Sequence, residues 1–235
     1  VQQRDIYSGV LITEYILILF PNLLYLKMRG YSFKKVLKLN PISIKQILYT
    51  VMTMIFAYPL AVFLNYIMMI AVNAVSDAIP TGVPIPTNWS EYWLGLLVIA
   101  LTPGICEEVM FRGTIQSAYE KLGEKKALIA SAALFGLFHF NLTNLLGPAF
   151  LGLILGIIML KTKSLYASII GHTVNNGIAL SLGFMMSGML ESLEEAAAGA
   201  PLLPEGIEII AVLLMLALWA FFSTIILFLL IKHFP

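Results

Sequence analysis

Residues 92–118 read YWLGLLVIALTPGICEEVMFRGTIQSA, an apolar run that carries two adjacent glutamates and an arginine. The run is long enough to cross a bilayer as a helix, which takes about 20 largely apolar residues. An ionisable side chain within hydrocarbon costs about 2.5–3.5 kcal/mol on insertion scales. Glu107, Glu108 and Arg112 therefore indicate a site inside the membrane.

The rest of the chain has the composition of a membrane protein. Of its 235 residues, 60% are hydrophobic and 11% are charged, and the mean hydropathy is +0.91. Soluble domains carry about 25% charged residues. We predict an all-α, polytopic transmembrane bundle of about seven to eight helices, forming a single integral membrane domain over residues 1–235. A net charge of +1 gives no basic surface for nucleic acid, and one cysteine excludes an internal disulfide.

Seven apolar runs are expected to be helices that span or enter the bilayer. Pro103 and Gly104 are expected to interrupt the third run just before its glutamates. We expect no cleavable signal peptide, because no small-residue cleavage site follows the first run. The sequence begins at Val1 rather than Met, which leaves room for a further helix upstream. The expected runs are 6–26, 47–75, 92–118, 127–140, 145–160, 165–186 and 207–231.

Basic residues occur in alternate connections between these runs. Such an asymmetry predicts that the basic connections and the C-terminus face the cytosol, with residue 1 outside. Twelve of the 14 Lys and Arg residues follow the pattern: Lys27, Arg29, Lys34, Lys35, Lys38, Lys45, Lys121, Lys125, Lys126, Lys161, Lys163 and Lys232.

The two glutamates are expected to have different surroundings. Glu108 and Arg112 are four residues apart, so they share one face of a helix and can form an ion pair. A purely structural role for this pair is equally open. Glu107 lies about 100° around the helix from Glu108, so it points elsewhere and lacks the arginine as a neighbour.

Other polar residues fall at a similar depth on later runs. At 1.5 Å per helical residue, Glu107, His139 and Asn176 each lie about 20 Å from the nearest cytosolic basic residue, and His172 about 14 Å. Lipid cannot satisfy such groups, so we expect them to converge on one water-accessible cavity. His233 lies beside Lys232 at the cytosolic end, and we expect it to be a bystander.

This set of groups suits the hydrolysis of an amide. A carboxylate beside an imidazole can deprotonate a water, and imidazole and Asn N–H groups can donate to an oxyanion. Three alternatives stay open. Glu107, His139 and His172 could hold a catalytic metal, Cys106 could act as a nucleophile, and the protein could be a non-catalytic scaffold or immunity protein.

Three short motifs follow one another along the hydrophobic runs. Glu107–Arg112 fits EExxxR, Phe135–His139 fits FxxxH, and His172–Asn176 fits HxxxN. In this order they resemble the motifs of the CPBP family of CAAX proteases and bacteriocin-processing enzymes, also called Rce1-like or Abi. The motif-bearing core covers about residues 90–180.

The resemblance implies an intramembrane glutamic endopeptidase that needs no metal or other cofactor. By this resemblance Glu107 activates water with help from His139, whereas His172 and Asn176 stabilise the oxyanion. Glu108 and Arg112 support the site, and Phe135 packs beside it. The implied partners are the lipid bilayer and a peptide or protein substrate, such as a prenylated CAAX-type or other membrane-associated peptide. We expect a prokaryotic plasma membrane protein.

Overall fold

The computed structural model describes residues 6–76, 84–196 and 205–235, and every regular element in these ranges is a helix. The fold is the all-α bundle that the composition predicts, with eight main helices in the described ranges. In chain order they are α1 (Ile6–Met28), α2 (Phe33–Val36), α3 (Ile44–Asn73), α4 (Trp89–Leu122), α5 (Glu124–Leu137), α6 (Leu146–Thr162), α7 (Leu165–Ala196) and α8 (Glu205–Lys232).

Five helical segments are long and apolar enough to cross a membrane: α1, α3, α4, the segment Leu142–Thr162 that contains α6, and α8. Two of the seven expected runs, which form α5 and α7, are not among these candidate spans. Helix α5 has 14 residues, so it is about 21 Å long and shorter than a hydrocarbon core of about 30 Å. Helix α7 has 32 residues, but His172, Asn175 and Asn176 lower its mean hydropathy. The orientation read from the basic residues stays a prediction.

Helix α4 is continuous, and the expected interruption at Pro103 is wrong. The chain is π-helical over Leu96–Leu101, returns to α-helix over Thr102–Glu108, and is π-helical again over Val109–Gln116. Pro103 stands in the first turn of the α-helical segment, where a missing N–H is tolerated. The hydroxyl of Thr102 donates to the carbonyl of Leu97 at 3.0 Å, which gives this carbonyl a hydrogen bond within the wider π-helical turn.

Helix α4 lies at the centre of the part of the fold that carries the motifs. It packs against the π-helical stretch Ile12–Leu19 of α1, against α5 and against α7. Helix α3 also packs against α7, and it contacts α6 and α8 as well. The buried core between these helices is apolar, and it includes Met54, Leu155 and Ile158.

The approach of α4 to α7 depends on a glycine. A Cβ atom at Gly104 would lie 2.4 Å from the hydroxyl oxygen of Thr173 and 3.2 Å from its backbone nitrogen. The first distance is shorter than real Cβ contacts, the second is tighter than most of them, and the backbone nitrogen cannot rotate away. Gly104 therefore sets how closely these two motif-bearing helices pack.

We expect Gly104→Ala to lower the stability of the folded protein by about 1–3 kcal/mol, as overpacking does in other interiors. The thermal unfolding midpoint of the purified protein in detergent measures this effect. Gly177→Ala on α7 is the matched control, because its Cβ would meet only Leu96 Cδ2 at an ordinary 3.7 Å. Equal midpoints for the two variants would show that the close approach of α4 and α7 is not needed.

Candidate active site

A cavity of about 320 Å³ lies between α3, α4, α6 and α7. The structure brings Glu107, His139, His172 and Asn176 together on its wall, as the depth argument expects. These residues come from α4, from the turn after α5, and from α7. The remaining wall is mostly apolar, with further polar groups from Tyr58, Asn65, Asn144 and Asn175.

Glu108 and Arg112 lie behind this wall and are fully buried. Arg112 Nη1 donates to Glu108 Oε1 at 2.8 Å, so the i, i+4 ion pair forms. Arg112 Nη2 donates to the carbonyl oxygen of Gly152 at 3.0 Å. Glu108 Oε1 also accepts from His172 Nδ1 at 2.9 Å. The pair therefore links α4 to α6 and to α7.

Glu107 faces the cavity rather than the arginine. Its side chain is mostly buried, and its Oε2 atom lies 4.0 Å from His172 Nε2, which is too long for a hydrogen bond. Because His172 Nδ1 donates to Glu108, a neutral His172 presents an unprotonated Nε2 toward Glu107. A water or a substrate atom that fits between these two groups would contact both.

Phe135 holds the two histidines and the arginine around one ring. Its ring centroid lies 5.2 Å from that of His139 and 5.5 Å from that of His172, both at steep angles. The Arg112 guanidinium lies 4.4 Å from the same centroid, within the range of a cation–π contact. The side chain of Phe135 is thus a packing element, as the resemblance implies.

The backbone of Phe135 sets the tautomer of His139. The Nδ1 atom of His139 lies 2.9 Å from the carbonyl oxygen of Phe135. A carbonyl only accepts, so Nδ1 carries the proton and a neutral ring offers Nε2 as an acceptor. His139 is half-buried at the end of a short helix, where it can meet a water in the cavity.

A backbone carbonyl of α4 holds Asn176. Ile99 lies in the π-helical stretch Leu96–Leu101, four residues before Pro103, which has no N–H to donate. Asn176 Nδ2 donates to that carbonyl at 3.3 Å, and its Oδ1 accepts from Asn175 Nδ2 at 3.1 Å. One N–H of the Asn176 amide is left to face a ligand.

Three features of the site involve residues that none of the three motifs specifies. Asn65 of α3 donates to Asn144 Oδ1 at 2.6 Å and accepts from the N–H of Gly147 at 2.7 Å, which ties α3 to the loop after His139. Asn175 lines the cavity beside Asn176. Glu14 of α1 is buried next to Glu107. A lone carboxyl in the first apolar run is the sequence signal that points to Glu14.

Two residues that the sequence singles out, Cys106 and His233, lie apart from the cavity wall. Cys106 is fully buried and is not among the residues of the cavity wall. No group of three His, Cys, Asp or Glu side chains in the described ranges is arranged to hold a metal ion, so Glu107, His139 and His172 form no such cluster. His233 is exposed after α8, away from the cavity.

Comparison with known families agrees with the three motifs. Residues 89–178 match the family model described as type II CAAX prenyl endopeptidase Rce1-like. This segment is therefore similar to an Rce1-like domain. No curated protein and no solved structure matches the chain.

The matched segment coincides with the part of the fold that forms most of the cavity wall. It begins at the start of α4 and ends two residues after Asn176. The family is one of peptide hydrolases, and five apolar helices of the chain can cross a membrane. Together these findings support an intramembrane protease.

We expect Arg112→Ala to damage folding as well as activity. The substitution leaves the Glu108 carboxylate buried without its partner, which costs about 3–5 kcal/mol in comparable buried pairs. The thermal unfolding midpoint in detergent measures the loss. Arg29→Ala is the control, because Arg29 is exposed in the loop after α1. A normal midpoint for Arg112→Ala would show that the ion pair does not stabilise the matched segment.

Proposed function

We propose that the protein is an intramembrane endopeptidase in which Glu107 activates a water for direct attack on a peptide carbonyl. The observation that carries this proposal is the single cavity wall shared by Glu107, His139, His172 and Asn176. The match of residues 89–178 to a protease family supports a peptide as the substrate.

The activation of water is assigned to Glu107 and His139. An ionised Glu107 accepts a proton from a water in the cavity, and the Nε2 atom of a neutral His139 accepts from the same water. The Nδ1 contact of His139 with the Phe135 carbonyl supports this role, because it leaves Nε2 free of its proton. Two acceptors on one water increase its nucleophilic character.

The stabilisation of the oxyanion is assigned to Asn176 and His172. Asn176 has one amide N–H left after its bond to Ile99, and it can donate to a developing oxyanion. His172 Nδ1 is bound to Glu108, so its Nε2 donates to the oxyanion only when that atom carries a proton. The Glu108 carboxylate at Nδ1 offsets the charge of such a ring.

The substrate is proposed to be a membrane-associated peptide, with prenylated CAAX-type C-termini as one class. The cavity lies among helices that can cross a membrane, and its wall is largely apolar apart from the catalytic groups. An extended peptide that enters between these helices would place a carbonyl near Glu107 while its apolar side chains contact the wall.

We expect Glu107→Ala and His139→Ala each to abolish peptide cleavage while the amount of folded protein stays the same. The measurement is mass spectrometry of products from farnesylated CAAX-type and unmodified peptides, incubated with each purified variant. Glu208→Ala and His233→Ala remove exposed groups far from the cavity, and Cys106→Ala removes the buried thiol; all three should retain activity. Wild-type turnover in either catalytic variant would overturn the assignment. A wild-type protein that cleaves no peptide would favour the non-catalytic scaffold.

The metalloprotease alternative is tested separately. We expect a strong chelator to leave the cleavage rate unchanged, because the proposed mechanism needs only side chains that are present in the cavity. The rate on the same peptides is measured before and after dialysis against the chelator. Loss of activity that zinc restores would show instead that Glu107, His139 and His172 act as metal ligands.

A further inference from the structure

Glu14 is a buried carboxyl group that belongs to none of the three motifs. It lies on the π-helical stretch Ile12–Leu19 of α1, with an exposed fraction of 6%. The next residues on the same helix, Ile16 and Leu17, are 58% and 65% exposed, as expected for positions that face lipid. Glu14 therefore points inward, in an otherwise apolar helix.

Its inward direction brings it to the segment of α4 that carries the catalytic glutamate. The stretch Ile12–Leu19 packs against Thr102–Glu108, and the side chains of Glu14 and Glu107 lie within hydrogen-bonding reach of each other. The Cys106 thiol also lies near both carboxyl groups. Glu14 is not part of the cavity wall, so it meets Glu107 on the side away from the substrate.

Each of the two carboxyl groups has one buried oxygen without a donor. The Oε2 atoms of Glu14 and Glu107 are buried, and neither receives a hydrogen bond from an N–H or hydroxyl group of the described residues. Two ionised carboxylates cannot bond to each other, because neither has a hydrogen to donate. Two like charges in contact away from water are also strongly unfavourable. A single proton held between the two groups removes both problems.

We propose that Glu14 is a positioning residue whose protonated carboxyl donates a hydrogen bond to the ionised carboxylate of Glu107. The bond orients the carboxylate of Glu107, which also accepts a hydrogen bond from the water in the cavity. The remaining charged or titratable neighbours of Glu107 are Cys106, Glu108 and Arg112 on its own helix and His172 on α7. Among these groups, Arg112 and His172 are already bonded to Glu108, so Glu14 is the partner left for Glu107.

This inference rests on the proposed role of Glu107 as the base, and it predicts a specific kinetic pattern. Glu14→Leu removes the donor, so we expect kcat to fall by roughly 10- to 100-fold, as when a supporting partner of a reacting group is lost. KM should stay the same, because Glu14 does not contact the cavity. Glu14→Gln keeps an N–H donor in a similar place and should retain most of the wild-type kcat.

Stability separates this role from a merely structural one. The rate is therefore expressed per folded molecule, and kcat of Glu14→Leu should fall even after any decrease in folded protein, caused by the lost hydrogen bond, is taken into account. Tyr15→Leu is the matched control on the same turn, because Tyr15 is 41% exposed and should affect neither quantity. Rates are measured on the farnesylated or unmodified peptide that the wild-type protein cleaves fastest.

Several outcomes would overturn the inference. Wild-type kcat in Glu14→Leu, or a loss that only follows a loss of folded protein, would show that Glu14 does not act through Glu107. A Glu14→Gln variant as slow as Glu14→Leu would reject the hydrogen bond. Full activity in Glu107→Ala would instead reject the proposed function itself. An inactive Glu107→Ala with a fully active Glu14→Leu would reject only the role of Glu14.

Discussion

The buried pair of Glu108 and Arg112 is the interaction on which the arrangement of the site depends. Neither side chain has any exposure, so each charge must be balanced within the protein. Arg112 also binds the Gly152 carbonyl of α6, and Glu108 also binds His172 of α7. One ion pair thus fixes three helices relative to each other. It also sets which side of α4 is left for Glu107, because Glu108 occupies the side that faces the arginine.

The same need to satisfy buried polar groups explains the rest of the wall. Asn176 is held by the carbonyl of Ile99 in the π-helical stretch of α4. His139 is held by the Phe135 carbonyl at the end of α5. Glu14 lies against Glu107, and the Oε2 atom of each is buried without an N–H or hydroxyl donor among the described residues. Each proposed catalytic group therefore has a neighbour that orients it, and in most cases that neighbour lies on a different turn or a different helix.

Sequence patterns predict those features that follow from helical geometry and the cost of charge in hydrocarbon. The four-residue spacing predicts the contact between Glu108 and Arg112, and the equal depth of His139 and Asn176 predicts a shared cavity. The π-helical stretches of α4 could not be predicted, since they arise from packing rather than from local preference. The continuity of α4 through Pro103 was missed for the same reason.

The position of Glu14 shows a different limit. Its lone charge in the first apolar run signals a function, but only the packing of α1 against α4 shows that Glu107 is its neighbour. Contacts between helices far apart in the chain depend on which face each helix presents, and a run of apolar residues does not fix that face. The short helix α5 is another such case, because its 14 residues end at Leu137, just before the turn that carries His139.

The central claim is that Glu107 delivers water directly to the peptide bond. A single turnover in water enriched in heavy oxygen, followed by mass spectrometry of both products and protein, tests this claim most directly. The account predicts one heavy oxygen in the new C-terminal carboxylate of the peptide and none in the carboxyl group of Glu107. Heavy oxygen in Glu107, or an acyl group attached to the protein, would contradict it.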